Sequence, residues 1–203
     1  RASCGLPEEC FVYCSFNNNF KFTPEMFSVW MNILRRVSGS VLWLLADNPW
    51  AEENLRREAI HQGIEPSRLI FTERVAPENY LARYQIADLF LDTFPFNAGT
   101  TANDALWMGL PVLTRSGRTF ASRMAGALLT AANLGELITY QLSDYEEKAV
   151  ALGHHRTECQ RMRAHLVRER TQGVLFDTPL FVRNLESRLL QLTRHPPATS
   201  SPR

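Results

Sequence analysis

The sequence predicts an α/β protein built on a doubly wound parallel sheet of about five or six strands, a Rossmann-like fold. Short apolar runs alternate with longer amphipathic stretches, which is the pattern of strand–helix units around a parallel sheet. The run VLWLL at 41–45 is apolar throughout, as expected when helices cover both faces of a sheet. The 203 residues, 45% hydrophobic and 21% charged, suit one well-packed domain.

The first half of the chain supplies three strand–helix units. The first predicted helix has Thr23 as its N-cap and Pro24 at its first helical position, and both residue types are favoured there. The second predicted helix ends at Gly63. In chain order the predicted elements are a strand at 11–16, a helix at 24–37, a strand at 41–45, a helix at 49–62, a strand at 68–72 and a short helix after Pro77.

The second half adds two more strands and closes with helices. Trp107, like Trp30 and Trp43 earlier in the chain, falls on a predicted buried face. A break in the first of the two long closing helices is expected near Gly153. The predicted elements are a strand at 89–93, a helix at 101–108, a strand at 111–114, and helices at 119–132, 143–170 and 179–192.

The ends of the chain carry two further expectations. The domain is predicted to cover residues 1–194, and the tail at 195–203, rich in Pro, Ser and Thr, is predicted to be disordered. Because the chain begins with Arg1 and not with methionine, we expect it to be a fragment or a processed product of a longer protein.

Composition restricts the partners and the compartment. The net charge of +1 creates no large field of one sign, which argues against nucleic acid and anionic membranes as partners. No apolar run approaches the ~18 residues of a membrane span, and no signal peptide opens the chain. The four cysteines form no C-x-x-C pair, and this usage favours a reducing cytoplasm over a disulfide framework.

A binding site is expected at the carboxyl ends of the strands, where doubly wound sheets bind their ligands. In the loop after the fourth strand, Gly99 permits a close backbone approach, and Thr100 and Thr101 place hydroxyls beside the unpaired N–H groups of a helix start. Such a helix start binds phosphate without a metal. Alternatively, Thr101 and Asp104 form a capping box, and the two interpretations can coexist.

Two other loops point to the same edge of the sheet. After the first strand, Lys21 could neutralise the charge that grows on a departing diphosphate, or it could be an exposed surface lysine. After the third strand, Tyr80 and Arg83 could stack on and hydrogen-bond to a base, or Tyr80 could be half buried on an amphipathic helix. Each plainer interpretation is favoured alone. Together, the three loops supply what a nucleoside diphosphate needs.

Several common motifs are absent from the sequence. It has neither the G-x-G-x-x-G of dinucleotide-binding proteins nor the P-loop of NTPases. A D-x-D motif is also missing, which argues mildly against a metal-dependent sugar transferase. His154, His155 and Cys159 have a spacing that could bind metal, but no fourth ligand is nearby, so no metal site is predicted.

Three segments carry a resemblance to a known family: 16–45 (FNNNFKFTPEMFSVWMNILRRVSGSVLWLL), 75–114 (VAPENYLARYQIADLFLDTFPFNAGTTANDALWMGLPVLT) and 120–138 (FASRMAGALLTAANLGELI). They resemble the carboxyl-terminal lobe of the O-linked N-acetylglucosamine transferases, a family with bacterial relatives and SPINDLY-type O-fucosyltransferases. The resemblance spans Leu6 to Leu192. The family fold, GT-B, has two Rossmann-like lobes with the donor between them. The resemblance implies that an amino-terminal lobe and helical repeats lie outside this chain.

The resemblance implies roles on the phosphate side of the donor. Lys21 matches the catalytic lysine that contacts the diphosphate, and Asn18 stands where the family often has a glutamine near the phosphates. Thr100 and Thr101 match the pair that binds the diphosphate at the helix start. Gly99 stands where a histidine usually precedes these two threonines.

On the nucleoside side, the resemblance implies backbone contacts from Ala76 to the uracil and a side-chain contact from Arg83. Asp104 matches the acid that holds the ribose hydroxyls. Tyr80 stands roughly where a histidine stacks on the base, and Glu78 stands about where a ribose-binding lysine is expected.

The implied function is binding of a UDP-sugar, UDP-N-acetylglucosamine, for inverting transfer to serine or threonine of proteins without a metal or other cofactor. Acceptor-side groups would come mostly from the other lobe, so we expect the isolated chain to be inactive. Three alternatives stay open: a non-catalytic module that binds a nucleotide sugar, an O-fucosyltransferase that uses GDP-fucose, and a nucleotide-sugar epimerase.

Overall fold

The structure, a computed structural model, describes residues 1–46 and 48–194. A six-stranded sheet in the order β3-β2-β1-β4-β5-β6 forms its centre, and the paired strands are parallel. This order confirms the predicted doubly wound sheet, and it places the topological switch point between β1 and β4. The strands are β1 (Phe11–Ser15), β2 (Ser40–Leu45), β3 (Leu69–Thr72), β4 (Leu89–Leu91), β5 (Val112–Arg115) and β6 (Ile138–Thr139).

Helices follow the strands and cover both faces of the sheet. They are α1 (Pro24–Arg36), α2 (Pro49–His61), α3 (Pro77–Arg83), α4 (Thr100–Trp107), α5 (Met124–Ala131), α6 (Leu142–His154), α7 (Arg156–Gln172) and α8 (Thr178–Arg194). A short 3₁₀ turn, Asn19–Lys21, lies between β1 and α1. The tail predicted at 195–203 lies outside the described part of the chain.

The core is built around β1, which pairs with a strand on each side. Tyr13 pairs with Leu42 of β2 on one side and with Leu89 of β4 on the other, and all five β1 residues are buried. The hydroxyl of Tyr13 donates to the Ala149 carbonyl at 2.8 Å, which fixes α6 over the sheet. The predicted N-cap of α1 is confirmed, since Thr23 Oγ1 accepts from an amide of the first turn.

Two differences between the predicted and the observed element boundaries have a cause in local side-chain hydrogen bonds. The strand predicted at 89–93 ends at Leu91, because the Asp92 side chain binds the chain as it turns away from the sheet. The helix predicted at 119–132 begins only at Met124. Thr119 and Ser122 hydrogen-bond to each other through their side chains and backbone, and such local bonds compete with a helix.

Three further details concern the helices. The long helix predicted at 143–170 breaks at His155, which confirms the break predicted near Gly153. Gly153 itself lets α6 approach the sheet, since a Cβ there would collide with the Tyr13 hydroxyl. The prediction that Trp107 is buried is wrong: 41% of it is exposed, and its ring packs edge-on against Phe176, with centroids 4.9 Å apart. Trp30 and Trp43 are buried as predicted.

Within residues 1–46 and 48–194, no helix is both long and apolar enough to cross a membrane. The four cysteines are free thiols, three of them buried: Cys10, Cys14 and Cys159.

Candidate functional site

The loops after β1, β3 and β4 meet at the carboxyl edge of the sheet, as the strand order requires. Side chains tie them together. Lys21 Nζ, in the loop after β1, donates to the Asn97 carbonyl in the loop after β4 at 3.1 Å. Asn18 Oδ1 accepts from Arg74 Nη2, in the loop after β3, at 2.7 Å. Two predicted site residues thus hold the three loops in one cluster.

Lys21 is held in place and partly buried. Its ammonium also lies 4.1 Å from the centroid of the Phe96 ring, a cation–π contact. Burial lowers the pKa of Lys21, while the nearby charge of Asp92 raises it. This environment differs from that of a freely exposed surface lysine. Its role toward a diphosphate stays a prediction.

The start of α4 lies beside this lysine. Gly99 is the N-cap, and Thr100 and Thr101 are the first helical residues. Since Thr101 lies inside the first turn, the alternative capping box with Asp104 does not form, and within the described part of the chain no side chain caps this helix. The first amides of such a helix have no intrahelical acceptor and carry the positive end of its dipole. This end of the helix can therefore receive an anion.

Asp92 lies in the protein interior beneath this cluster of loops, and only 1% of it is exposed. Its Oδ1 accepts from the Thr93 amide at 2.8 Å and the Ala98 amide at 2.7 Å. Its Oδ2 accepts from the Thr114 hydroxyl at 2.6 Å. Burial raises the pKa of Asp92 to about 7, against the opposing effect of these hydrogen bonds and of Lys21.

Two buried asparagines, Asn17 and Asn97, lie in the same hydrogen-bonded cluster as Asp92. Asn17 Nδ2 donates to Thr93 Oγ1 at 2.9 Å, and Asn97 Nδ2 donates to the Thr93 carbonyl at 2.7 Å. Among the described residues, neither Asn17 Oδ1 nor Asn97 Oδ1 has a hydrogen-bond partner. Buried acceptors of this kind are uncommon and concentrate where ligands or ordered waters bind.

On the nucleoside side, Ala76 is the exposed N-cap of α3 and presents its backbone to solvent. Arg83 Nη1 donates to the Glu73 carbonyl at 2.6 Å, which draws the guanidinium over the loop after β3. Glu78 is exposed on the first turn of α3. The backbone at Ala76 and the Arg83 guanidinium therefore lie on the same loop.

The Tyr80 ring faces the protein interior, whereas the base-stacking prediction needs an accessible ring. Its ring packs on Tyr84 and Phe16, and the Tyr80 and Tyr84 hydroxyls are hydrogen-bonded. The Tyr84 hydroxyl also reaches the Thr101 carbonyl at 3.3 Å, so α3 is linked to the start of α4. Burial raises the pKa of Tyr80 to about 12. Partial burial likewise raises the pKa of Asp104.

Sequence reasoning missed the residues that support this cluster, namely Asp92, Asn17 and Asn97. One signal pointed to Asp92: a carboxylate that directly follows an apolar strand at the switch point. The residues that bind it lie elsewhere in the chain, and only the fold brings them together. Within the described residues, no group of three or more His, Cys, Asp or Glu side chains is placed to hold a metal ion.

A six-stranded parallel sheet with this strand order, and with an open helix start at its switch point, defines the Rossmann-like class of folds. Within that class, the chain belongs to glycosyl transferase family 41, whose family model matches residues 1–185. The resemblance seen in the sequence is thereby confirmed.

Individual relatives support this family assignment. Over 187 residues, 92% of the chain, it is 40% identical to an Arabidopsis thaliana protein named as a probable UDP-N-acetylglucosamine–peptide N-acetylglucosaminyltransferase, SEC. Over 192 residues, 95% of the chain, it is 36% identical to a Caenorhabditis elegans protein named UDP-N-acetylglucosamine–peptide N-acetylglucosaminyltransferase. The chain spans only 19% and 17% of the lengths of these two relatives.

Among solved structures, an O-GlcNAc transferase mutant of Thermobaculum terrenum superposes with a TM-score of 0.85 at 28% identity. The match covers 93% of this chain and 39% of that chain. The predicted fold, one Rossmann-like lobe of the GT-B kind, is confirmed by this likeness and by the strand order.

Proposed function

We propose that this chain is the UDP-sugar-binding lobe of an enzyme that transfers N-acetylglucosamine from UDP-N-acetylglucosamine to serine or threonine of proteins. The observation that carries the proposal is the position of Lys21, whose ammonium is held against the loop that leads into the open start of α4. Membership of family 41 and the names of the relatives support the choice of donor and acceptor.

In this proposal the reaction is a single displacement with inversion. The acceptor oxygen bonds to the anomeric carbon while the bond from that carbon to the diphosphate oxygen breaks, and the hydroxyl proton leaves to a base outside this chain. Lys21 and the first amides of α4, with Gly99, Thr100 and Thr101, stabilise the negative charge on the leaving diphosphate. Because a fixed cation and a helix start already neutralise this charge, no metal is required.

The remaining predicted residues bind the nucleoside and orient it. The backbone at Ala76 and the guanidinium of Arg83 contact the base, Tyr80 borders it, and Asp104 holds the ribose hydroxyls. Asn18 lies near the phosphates and keeps the loops after β1 and β3 together. The proposed partners of this lobe are the donor, a protein acceptor, an amino-terminal lobe and helical repeats.

The exposed side chains of the carboxyl edge support the presence of a second lobe. Phe20 is 73% exposed and Phe120 84% exposed, and Phe96 and Tyr140 are also exposed on loops of the same edge. Large apolar side chains grouped on one surface mark a contact with another part of a protein.

The cytoplasm is the proposed compartment, since the cysteines are free thiols.

Binding measurements test this proposal. Calorimetric titration of the chain with UDP, UDP-N-acetylglucosamine and GDP-fucose, each with a chelator and then with Mg²⁺, should show weak binding of the two uridine ligands that does not depend on metal. Preference for GDP-fucose would favour the fucosyltransferase alternative. Absence of binding at millimolar UDP in a folded sample, or binding only with Mg²⁺, would contradict the proposal.

The alternatives without transfer activity require an assay on the longer protein. Joined to its upstream lobe, the chain should transfer labelled sugar to a protein acceptor, with the modified residue located by mass spectrometry. Binding without transfer in that longer protein would favour the non-catalytic module. Conversion of the free nucleotide sugar into its epimer would favour the epimerase.

A further inference from the structure

Asp92 closes the loop that leads into α4. One oxygen, Oδ1, accepts from the amide at the start of the loop, Thr93, and from the amide near its end, Ala98. The carboxylate therefore holds the segment 93–98 as a closed turn. The backbone carbonyl of Asn97, a residue of this turn, accepts the hydrogen bond from Lys21 Nζ.

The groups around Asp92 come from three other parts of the fold. The loop after β1 supplies Asn17, whose Nδ2 lies 3.4 Å from Oδ1, and β5 supplies the Thr114 hydroxyl. From α6, the Tyr145 hydroxyl donates to the Asp92 carbonyl at 3.0 Å. The titratable groups that face Asp92 are Lys21 and Tyr145, and burial keeps the pKa of Tyr145 well above its ordinary value.

Lys21 depends on this turn for its position. Its hydrogen bond and its cation–π contact both go to residues of the turn, Asn97 and Phe96. Its pKa is lowered by burial and raised by Asp92. Of these two effects, that of the carboxylate is the one that favours the charged ammonium, which is the form that attracts a diphosphate.

We propose that Asp92 is the positioning residue of the donor site: its buried carboxylate folds the turn that seats Lys21 and faces the Lys21 ammonium with a negative charge. The part of this inference that concerns a diphosphate rests on the proposed function. The part that concerns Lys21 does not, because it is a property of the free protein.

The energetics favour this role over a purely structural one. Burial raises the pKa of Asp92 to about 7, so the ionised carboxylate is disfavoured at its site. An asparagine has nearly the same shape, and its carbonyl oxygen can accept from the same two backbone amides without a charge. The carboxylate's negative charge is what an asparagine cannot replace, and Lys21 is the cation that faces it.

Only two lysines occur in the sequence, Lys21 and Lys148, which makes a direct test available. In a chain labelled with ¹³C at lysine Cε, NMR shifts followed against pH give a separate titration curve for each lysine. Asp92→Asn should lower the pKa of Lys21 and leave that of Lys148 unchanged.

The matched control is Asp88→Asn. Asp88 precedes the same strand at the opposite edge of the sheet, accepts from the Val12 amide at 2.8 Å and forms an ion pair with Arg156. This variant should leave the pKa of Lys21 unchanged. An unchanged Lys21 pKa in Asp92→Asn, or an equal drop in both variants, would overturn the proposal.

A reciprocal measurement covers the case in which Asp92→Asn fails to fold. In a chain labelled with ¹³C at aspartate carboxyls, Lys21→Ala should raise the pKa of Asp92, because the lysine charge lowers it in the native protein. An unchanged Asp92 titration would overturn the electrostatic coupling without use of the first variant.

Ligand binding completes the test. At about pH 8, Asp92→Asn should weaken UDP binding about tenfold, the factor that ~1.4 kcal/mol represents, and change uridine binding little. Equal weakening of both ligands would contradict the positioning role. If the native chain binds no UDP at all, the proposed function fails, while the lysine titration still decides whether Asp92 sets the state of Lys21.

Discussion

The stability of the chain should depend on pH through Asp92 in a way that one substitution reveals. In the folded chain the pKa of Asp92 is about 7, raised from 3.8 by burial. The unfolded chain therefore releases this proton at lower pH than the folded chain does, and stability is lost as pH rises between the two values. From about pH 4.5 to about pH 7 the slope is ~1.4 kcal/mol per pH unit, or roughly 3 kcal/mol in all.

Asparagine has no such proton, so the comparison isolates this effect. Urea denaturation of the native chain and of Asp92→Asn at about pH 4.5 and about pH 8 gives the difference in unfolding free energy at each pH. Relative to the native chain, Asp92→Asn should gain about 2–3 kcal/mol between the two pH values, since the other titrating groups cancel. A difference that stays constant with pH would refute an Asp92 pKa near neutrality.

Three further outcomes are expected. Gly153→Ala should lower the unfolding free energy by about 1–3 kcal/mol in urea denaturation, because its Cβ would collide with the Tyr13 hydroxyl, which is held by Ala149; an unchanged midpoint would show that α6 can shift. Arg83→Ala should weaken UDP and uridine by equal factors in NMR titrations, and selective loss of UDP would place it at the phosphates. The isolated chain should transfer no labelled sugar to a peptide, since alignment of acceptor and donor accounts for about 7–11 kcal/mol of the activation barrier of such a reaction. Transfer by this chain alone would contradict the two-lobe proposal.

The sequence predicts the sheet well because each strand is a local pattern. β1, β2 and the capped α1 follow from apolar runs, from Thr23 and from Pro24, and the structure confirms them. In a parallel sheet all strands end at the same edge, so the edge that carries the loops could be predicted too. Lys21 and the start of α4 lie at that edge.

Errors arose where the outcome depends on residues distant in sequence or on side chains that bind their own backbone. Asp92 looks like the end of a strand until Ala98 and Thr114 are placed around it. Trp107 has the spacing of a buried position, but it lies on the outer side of α4 against Phe176. Periodicity shows which residues share a face and not which element covers that face.

The central claim is that Lys21 forms part of a diphosphate site, and UDP affinity measured against uridine affinity tests it most directly. With a chelator present, Lys21→Ala should weaken UDP binding roughly ten- to hundredfold, as expected for a charge-assisted contact of about 1.5–3 kcal/mol, and leave uridine binding nearly unchanged. Lys148→Ala, the matched removal of the other lysine, should behave like the native chain. Equal loss of both ligands in Lys21→Ala, or no loss of UDP affinity, would contradict the account.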